Sequence, residues 1–190
     1  MKAEIRAIPG LKIETWGHPV SGIHTKKKVR DMTPLPSIDH DQSLPFDSYP
    51  KEENELLKSI WGGGNFRHGY GLKFIQKTGQ NRCAYCGALI SQFNTWLTMT
   101  LDHAIPISVC KKLDIEMAWC RSLANAVLAC GACNGFCNRY KAPADTLRPE
   151  TFTDFRALRN KIFLDRKHCI EKRRIDEEKH FNKEIAPIRI

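Results

Sequence analysis

The chain has 190 residues, of which 42% are hydrophobic, enough for one compact domain with flanking arms. Lysine and arginine together number 30 against 21 acidic residues, and the resulting net charge of +9 favours an anionic partner such as nucleic acid. No apolar run reaches the roughly 20 residues of a membrane-spanning helix, and no apolar block follows the charged N-terminus. We therefore expect a soluble, cytoplasmic protein that makes no membrane contact.

A proline-interrupted arm precedes the first predicted helices. Residues 1–50 show no sustained apolar period, which favours an extended arm, and the basic cluster at 26–28 is either a solvated loop or a phosphate contact. From Lys51 an acidic turn followed by apolar residues up to Trp61 predicts a short helix, which the glycines at 62–64 end. A second helix is predicted over residues 72–77.

Charged residues are unevenly distributed in the part of the chain that precedes Asp102. No acidic residue lies between Glu55 and Asp102, although this interval contains several cations. They are Lys58, Arg67, Lys73, Lys77 and Arg82. If these cations fold onto one face, they form a positive approach to the carboxylate of Asp102.

Two close cysteine pairs indicate a metal site. In a chain without an export signal the thiols stay reduced, so eight cysteines do not predict a disulfide framework. Cys83 with Cys86 and Cys130 with Cys133 have the C-x-x-C spacing of zinc knuckles, which predicts a tetrahedral structural zinc. Cys137 is an alternative fourth ligand. The thiols outside the pairs, expected to be buried or idle, are Cys110, Cys120, Cys137 and Cys169.

An Asp-His pair lies between the two knuckles. A short β-prone run at 99–101 ends at Asp102 and His103, and Pro106 stops regular structure soon after. Adjacent side chains at a strand end face opposite sides, so one can face a metal while the other faces a water molecule. A histidine accepts a proton near neutral pH, and a carboxylate suits a hard cation such as Mg²⁺.

The second half of the chain is predicted to be mostly helical. Residues 108–123 are predicted to be a helical insertion in the stretch between the two cysteine pairs, and residues 134–141 have helical spacing of polar side chains up to Pro143. Asn138 follows Asn134 by one helical turn, so that either or both could reach the same site. Residues 151–184 predict one or two charged helices, with a second basic cluster at 172–174.

The order of these motifs resembles that of the HNH endonucleases. Residues 82–141 contain a cysteine pair, an Asp-His before a proline, an asparagine (Asn125) that leads a strand into the second cysteine pair, and a final asparagine on a helix. The resemblance implies an α+β fold built on a ββα-metal finger: a strand to His103, a strand at 126–129 and a helix from Asn134, stapled by the four-cysteine zinc site. With its flanks the chain then divides into an arm (1–50), a nuclease domain (51–145) and a charged helical extension (146–190).

The resemblance also implies the roles of individual residues. His103 corresponds to the general base for in-line attack on a DNA phosphodiester, leaving 5′-phosphate and 3′-hydroxyl ends. Asp102 and Asn134, with Asn138 as a further candidate, correspond to ligands of one catalytic Mg²⁺ or Mn²⁺. Asn125 corresponds to the residue that ties the loop together and orients the histidine. Candidate nucleic-acid contacts are Arg82, Arg139 and Lys141.

A rival hypothesis from another class remains open. The chain could be a non-catalytic zinc module that binds nucleic acid or a partner protein, although such a scaffold needs only the cysteines. Members of the HNH family serve in restriction, phage packaging, mobile elements and antiviral defence, often beside an ATPase or a recognition subunit. Such a subunit is therefore an expected partner besides DNA.

Overall fold

The computed structural model describes residues 44–188, which belong to one compact unit. The predicted N-terminal arm, with its basic cluster, lies outside the described residues except for positions 44–50. In the described part of the chain no helix combines the length and the apolar character needed to cross a membrane.

The fold is mixed α+β, mostly helical with one small sheet, as the sequence predicts at this coarse level. Helices are α1 Glu53–Leu57, α2 Tyr70–Thr78, α3 Phe93–Thr98, α4 Ile107–Lys112, α5 Met117–Cys120, α6 Gly131–Phe136 and α7 Phe152–His180. Strands are β1 Met99–His103 and β2 Ala126–Cys130. Short 3₁₀ turns cover Pro45–Ser48 and Leu123–Asn125, and a π-helical turn, Phe181–Ile185, continues α7.

The two strands form an antiparallel pair that places the candidate site residues. Met99 lies opposite Cys130, and His103 lies opposite Ala126. Every residue of β2 is buried, which explains why this strand reads as a continuous apolar run in the sequence. Both predicted strands are confirmed, and the Asp-His pair lies at the end of β1 as expected.

The helix after β2 differs from its prediction. It begins at Gly131 and ends at Phe136, whereas residues 134–141 were expected to be helical. Cys137 leaves the helical region of backbone conformation (φ −127°, ψ 30°) and is buried in the core, and the glycines at 131 and 135 give the segment low helix propensity. The predicted shared helical face of Asn134 and Asn138 is therefore wrong, because Asn138 lies outside α6.

The N-terminal helices are confirmed with changed bounds. The helix predicted at 72–77 is α2, whereas α1 ends at Leu57 and does not reach Trp61. The chain becomes extended there because Ser59 forms a β-bridge with Ser122, and the Leu123 N–H donates to the Lys58 carbonyl at 2.8 Å. The predicted helical insertion is confirmed as α4, α5 and a 3₁₀ turn.

The C-terminal segment forms one long helix that is part of the core. α7 has 29 residues and starts with a capping box, in which Thr151 and Asp154 exchange hydrogen bonds. Its buried apolar side chains enter both hydrophobic clusters of the protein. They are Phe155, Ile162, Phe163 and Ile170. The helix therefore packs on the strand pair and on the insertion at once.

Candidate metal centre and the adjoining Asp-His site

Four cysteine sulfurs lie close enough together to hold one metal ion. The Sγ atoms of Cys83, Cys86, Cys130 and Cys133 all lie within 4.8 Å of one another. A tetrahedral zinc with Zn–S bonds of about 2.3 Å places its sulfurs about 3.8 Å apart. The Sγ atoms of Cys86 and Cys130 are 3.8 Å apart. The quartet predicted from the sequence could therefore hold a metal ion such as zinc.

Backbone hydrogen bonds form the two knuckles. In the first, the Cys83 N–H donates to the Ala88 carbonyl and the Gly87 N–H donates to the Cys83 carbonyl, both at 2.9 Å. Gly87 has a φ of +72°, a conformation that favours glycine. The Cys130 N–H donates to the Cys83 sulfur at 3.3 Å and joins the second knuckle to the first. The protein thus brings the four thiols together by its own backbone contacts.

The charges around the quartet suit a thiolate cluster. Hydrogen bonds among the thiols, that between Cys130 and Cys133 foremost, lower the pKa of Cys130 and raise that of Cys133, so that one thiolate is shared by its neighbours in the absence of a cation. Four thiolates around Zn²⁺ would carry a net charge of about −2. The Arg174 guanidinium on α7 lies 4.0 Å from the Cys133 sulfur and offsets part of that charge.

The remaining cysteines lie outside the quartet. Cys137 is buried, and burial followed by the neighbouring Cys169 raises its pKa. Cys110 and Cys120 are fully buried in the second hydrophobic cluster, and Cys169 is exposed on α7. Among the described residues, the close group of sulfurs does not include Cys137, so the structure does not support Cys137 as an alternative ligand.

A buried arginine holds the end of β1. The Asp102 Oδ2 atom accepts hydrogen bonds from the Tyr85 hydroxyl at 2.8 Å and from Arg166 Nη2 at 2.7 Å. Arg166 Nη1 also donates to the backbone carbonyls of His103 at 2.6 Å and Ala104 at 3.1 Å. The side chain of Arg166 is 1% exposed and that of Asp102 is 11% exposed. One guanidinium on α7 thus fixes both the carboxylate and the backbone of the Asp-His pair.

The His103 ring is fixed by stacking. Its imidazole stacks on the Trp61 indole with ring centres 4.0 Å apart and planes 16° apart. Burial lowers the pKa of His103 to about 4; the charge of Asp102 acts against this shift, and the charges of Arg166 and Arg121 act with it. The ring is therefore neutral at pH 7, and its nitrogens make no hydrogen bond to any residue in the range 44–188. A neutral imidazole is the form that accepts a proton.

Asn125 crosslinks the loop that follows His103. Its side chain is fully buried, with Oδ1 accepting from the Ile105 N–H at 2.8 Å. Its Nδ2 donates to the carbonyls of Ile105 at 3.0 Å and Cys120 at 2.9 Å. The Asn125 carbonyl in turn accepts from the Ala104 N–H at 2.7 Å. These bonds tie the loop together, and an influence on the orientation of His103 during a reaction stays a prediction.

The other predicted site residues are more exposed. Asn134 is half-buried on α6, which packs against both strands, and its side chain makes no hydrogen bond within the described part of the chain. Asn138 is exposed. The predicted nucleic-acid contacts Arg82, Arg139 and Lys141 are exposed as well.

Some of the cations between Glu55 and Asp102 form ion pairs in the structure. Lys58 and Lys77 both form ion pairs with Glu55, the acidic residue at the edge of the acid-free interval. Arg67, Lys73 and Arg82 have no acidic partner among residues 44–188. Two of the five cations are therefore paired with an acidic residue, and a shared positive face leading to Asp102 stays a prediction.

Sequence reasoning missed Trp61, Tyr85, Arg121 and Arg166. Tyr85 lies between the two cysteines of the first C-x-x-C pair, and this position in the sequence could have indicated that its side chain lies near the site. Arg166 carries no such signal, because it stands in a highly charged helix far along the chain from Asp102.

Comparisons of the chain with protein-family models, with curated proteins and with solved structures find no match.

Proposed function

We propose that this protein is a metal-dependent endonuclease that hydrolyses DNA phosphodiester bonds by the HNH mechanism. The observation that carries the proposal is an imidazole fixed by stacking next to a carboxylate, on a strand whose following loop is crosslinked by a buried asparagine. In this proposal β1, β2 and α6 form the ββα-metal finger, and a zinc ion bound by the four cysteines stabilises this finger.

His103 acts as the general base in this mechanism. One face of its ring is covered by Trp61, while its nitrogens make no hydrogen bond to the described residues and are available to a water molecule. The imidazole takes a proton as the water oxygen bonds to phosphorus and the bond to the 3′-oxygen breaks. Such proton transfer contributes about 10²- to 10⁴-fold to a rate.

Asp102 and Asn134 are the proposed ligands of the catalytic Mg²⁺ or Mn²⁺. Asp102 uses only Oδ2 in its contacts with Tyr85 and Arg166, so Oδ1 remains for a cation. The Asn134 amide oxygen is likewise not engaged by the described residues. Both are hard oxygen donors of the kind that Mg²⁺ prefers, and a cation bound there would stabilise charge on the leaving oxygen.

The charge distribution supports DNA as the substrate. The chain has a net charge of +9, and the exposed Arg121 exerts its charge on His103, whose pKa it helps to lower. Lys73 and Arg82 also have no acidic partner in the described range. Cations without an acidic partner can neutralise DNA phosphates, so we expect the affinity for DNA to fall steeply as the salt concentration rises.

Replacement of His103 tests the proposal. His103→Ala is expected to lower the rate of nicking of supercoiled plasmid with Mg²⁺ by about 10²- to 10⁴-fold, because the general base is lost. Zinc content and thermal unfolding should stay close to wild type. His168→Ala, an exposed histidine on α7, is the matched control and should nick at the wild-type rate. Wild-type nicking by His103→Ala would show that the assignment is wrong.

The roles of Asn134 and Asn138 can be distinguished by the Mg²⁺ concentration that each alanine variant requires for nicking. Asn134→Ala is expected to raise the Mg²⁺ concentration required for half-maximal nicking by at least about tenfold, as loss of metal-site support usually does. Asn138→Ala should leave it unchanged, because Asn138 is exposed and lies outside α6. A Mg²⁺ titration of the nicking rate makes the comparison, and the reverse result would move the ligand to Asn138.

The buried ion pair favours a second candidate function. Because Asp102 is already paired with Arg166, its carboxylate has a structural use in a non-catalytic module that binds nucleic acid or a partner protein. Such a module would bind DNA without cutting it at any Mg²⁺ or Mn²⁺ concentration. Mild chelation adds a second distinction, since in a nuclease it stops cutting before it removes the structural zinc.

A further inference from the structure

We infer that an unpaired DNA strand binds by base stacking to a surface formed by Arg67, His68, Phe93 and Trp96. We call these four residues the aromatic surface. That DNA is the polymer rests on the proposed function, whereas the stacking mode and the requirement for unpaired bases follow from the surface itself.

The aromatic surface is a connected set of rings with one cation. Trp96 lies on α3, and the Arg67 guanidinium carbon lies 5.6 Å from the centre of its ring. The rings of His68 and Phe93 lie 6.4 and 6.2 Å from that of Trp96. Arg67 Nη2 also donates to the Leu97 carbonyl at 2.9 Å and so fastens the preceding loop to α3.

Phe93 and His68 are open to solvent, whereas Trp96 is half-buried. Phe93 is 68% exposed, Arg67 and His68 are exposed, and the neighbouring Leu97 is 37% exposed. A single exposed phenylalanine is ordinary, but a contiguous group of apolar rings in contact with a cation is a candidate binding surface.

The surrounding charge fits a polyanion. The segments that build the aromatic surface belong to the interval between Glu55 and Asp102, which holds no acidic residue. The Lys73 ammonium lies against Gly63, where a Cβ would come within 3.2 Å of it, and so adds a cation beside the preceding glycine loop. Rings that stack on bases combined with cations that contact phosphates are the means by which proteins bind single-stranded nucleic acid.

The position of the surface connects it to the Asp-His site. α3 leads directly into β1, and His103 ends that strand about 14 Å from Met99 at the usual rise per residue. The aromatic surface thus includes the helix that precedes the strand ending at His103. Bases inside a duplex have no free face for these rings, so the surface selects DNA that is already unpaired or locally opened.

Oligonucleotide binding to inactive protein tests the inference. In the full chain with His103→Ala, we compare Phe93→Leu and Trp96→Leu, which keep apolar bulk but remove the stacking ring. Fluorescence anisotropy with a labelled single strand should show roughly tenfold weaker binding for each variant, and duplex of the same sequence should bind as before. Phe181→Leu, which changes a ring that is 52% exposed after α7, is the matched control.

Each alternative outcome has a definite meaning. Unchanged single-strand binding by both variants overturns the inference and leaves the nuclease proposal, which is judged by the nicking assay. An equal loss for single strand and duplex overturns the stacking mode, and tighter binding of unpaired RNA overturns the assignment to DNA. If the parent protein binds no nucleic acid, this inference and the proposed function both fail.

Discussion

Cys133→Ser is expected to lose stoichiometric zinc and to unfold the region around the strand pair. Apparent binding free energies of structural zinc reach about 10–16 kcal/mol in zinc-finger peptides at neutral pH, and this free energy stabilises the folded form. Here the quartet joins the first knuckle to the end of β2 and the start of α6. Metal analysis of the purified protein and its thermal unfolding measure the two effects.

Cys137→Ser is the matched control for this prediction. Cys137 is also a buried cysteine and follows Cys133 closely in the chain, but it lies outside the quartet. We expect it to keep one zinc per chain, with at most a small change in stability. If instead Cys137→Ser lost zinc and Cys133→Ser retained it, the quartet would be wrongly assigned.

Arg166→Met is expected to destabilise the protein by about 3–5 kcal/mol, the usual cost of removing one partner of a buried ion pair. The substitution leaves the nearly buried Asp102 carboxylate without its cation, and the carbonyls of His103 and Ala104 lose a donor. Nicking should fall as well, because the Asp-His pair loses its support. Denaturant unfolding and the plasmid assay measure the two effects separately.

Two further variants distinguish the possible causes of the Arg166→Met effect. Arg173→Met removes an exposed ion pair with Glu177 on the same helix, so it should cost less than about 1 kcal/mol. Asp102→Leu combined with Arg166→Met should recover part of the lost stability, since no buried charge is left unpaired, and yet should not nick DNA. A double variant that nicks normally would mean that Asp102 has a structural role alone.

The features that could be predicted from the sequence depend on short-range rules. The C-x-x-C spacing brings two thiols to one ion whatever surrounds them, and the apolar run of β2 predicts a buried strand. The loop-tying position of Asn125 was reached by the resemblance, and its hydrogen bonds in the structure fit that position. Roles in catalysis stay predictions.

What could not be predicted depends on contacts distant in the sequence. Arg166 stands in a helix that looks like a solvated, charged extension, and nothing local shows that its guanidinium reaches Asp102. The polar spacing after Asn134 suggested a longer helix because it does not reveal that Cys137 turns into the core. The stack of Trp61 on His103 likewise requires a loop path set by the β-bridge at Ser59.

Three arginines of α7 make the positions of the candidate site residues depend on the rotation of this helix about its axis. Arg159 donates to the Ala124 carbonyl beside Asn125, Arg166 holds the Asp-His pair, and Arg174 lies by the cysteine quartet. One residue inserted before Arg159 would rotate all three guanidiniums by about 100° and withdraw them together. The segment 82–141 is consequently not a portable unit, since its three key points are aligned by a single helix that lies outside it.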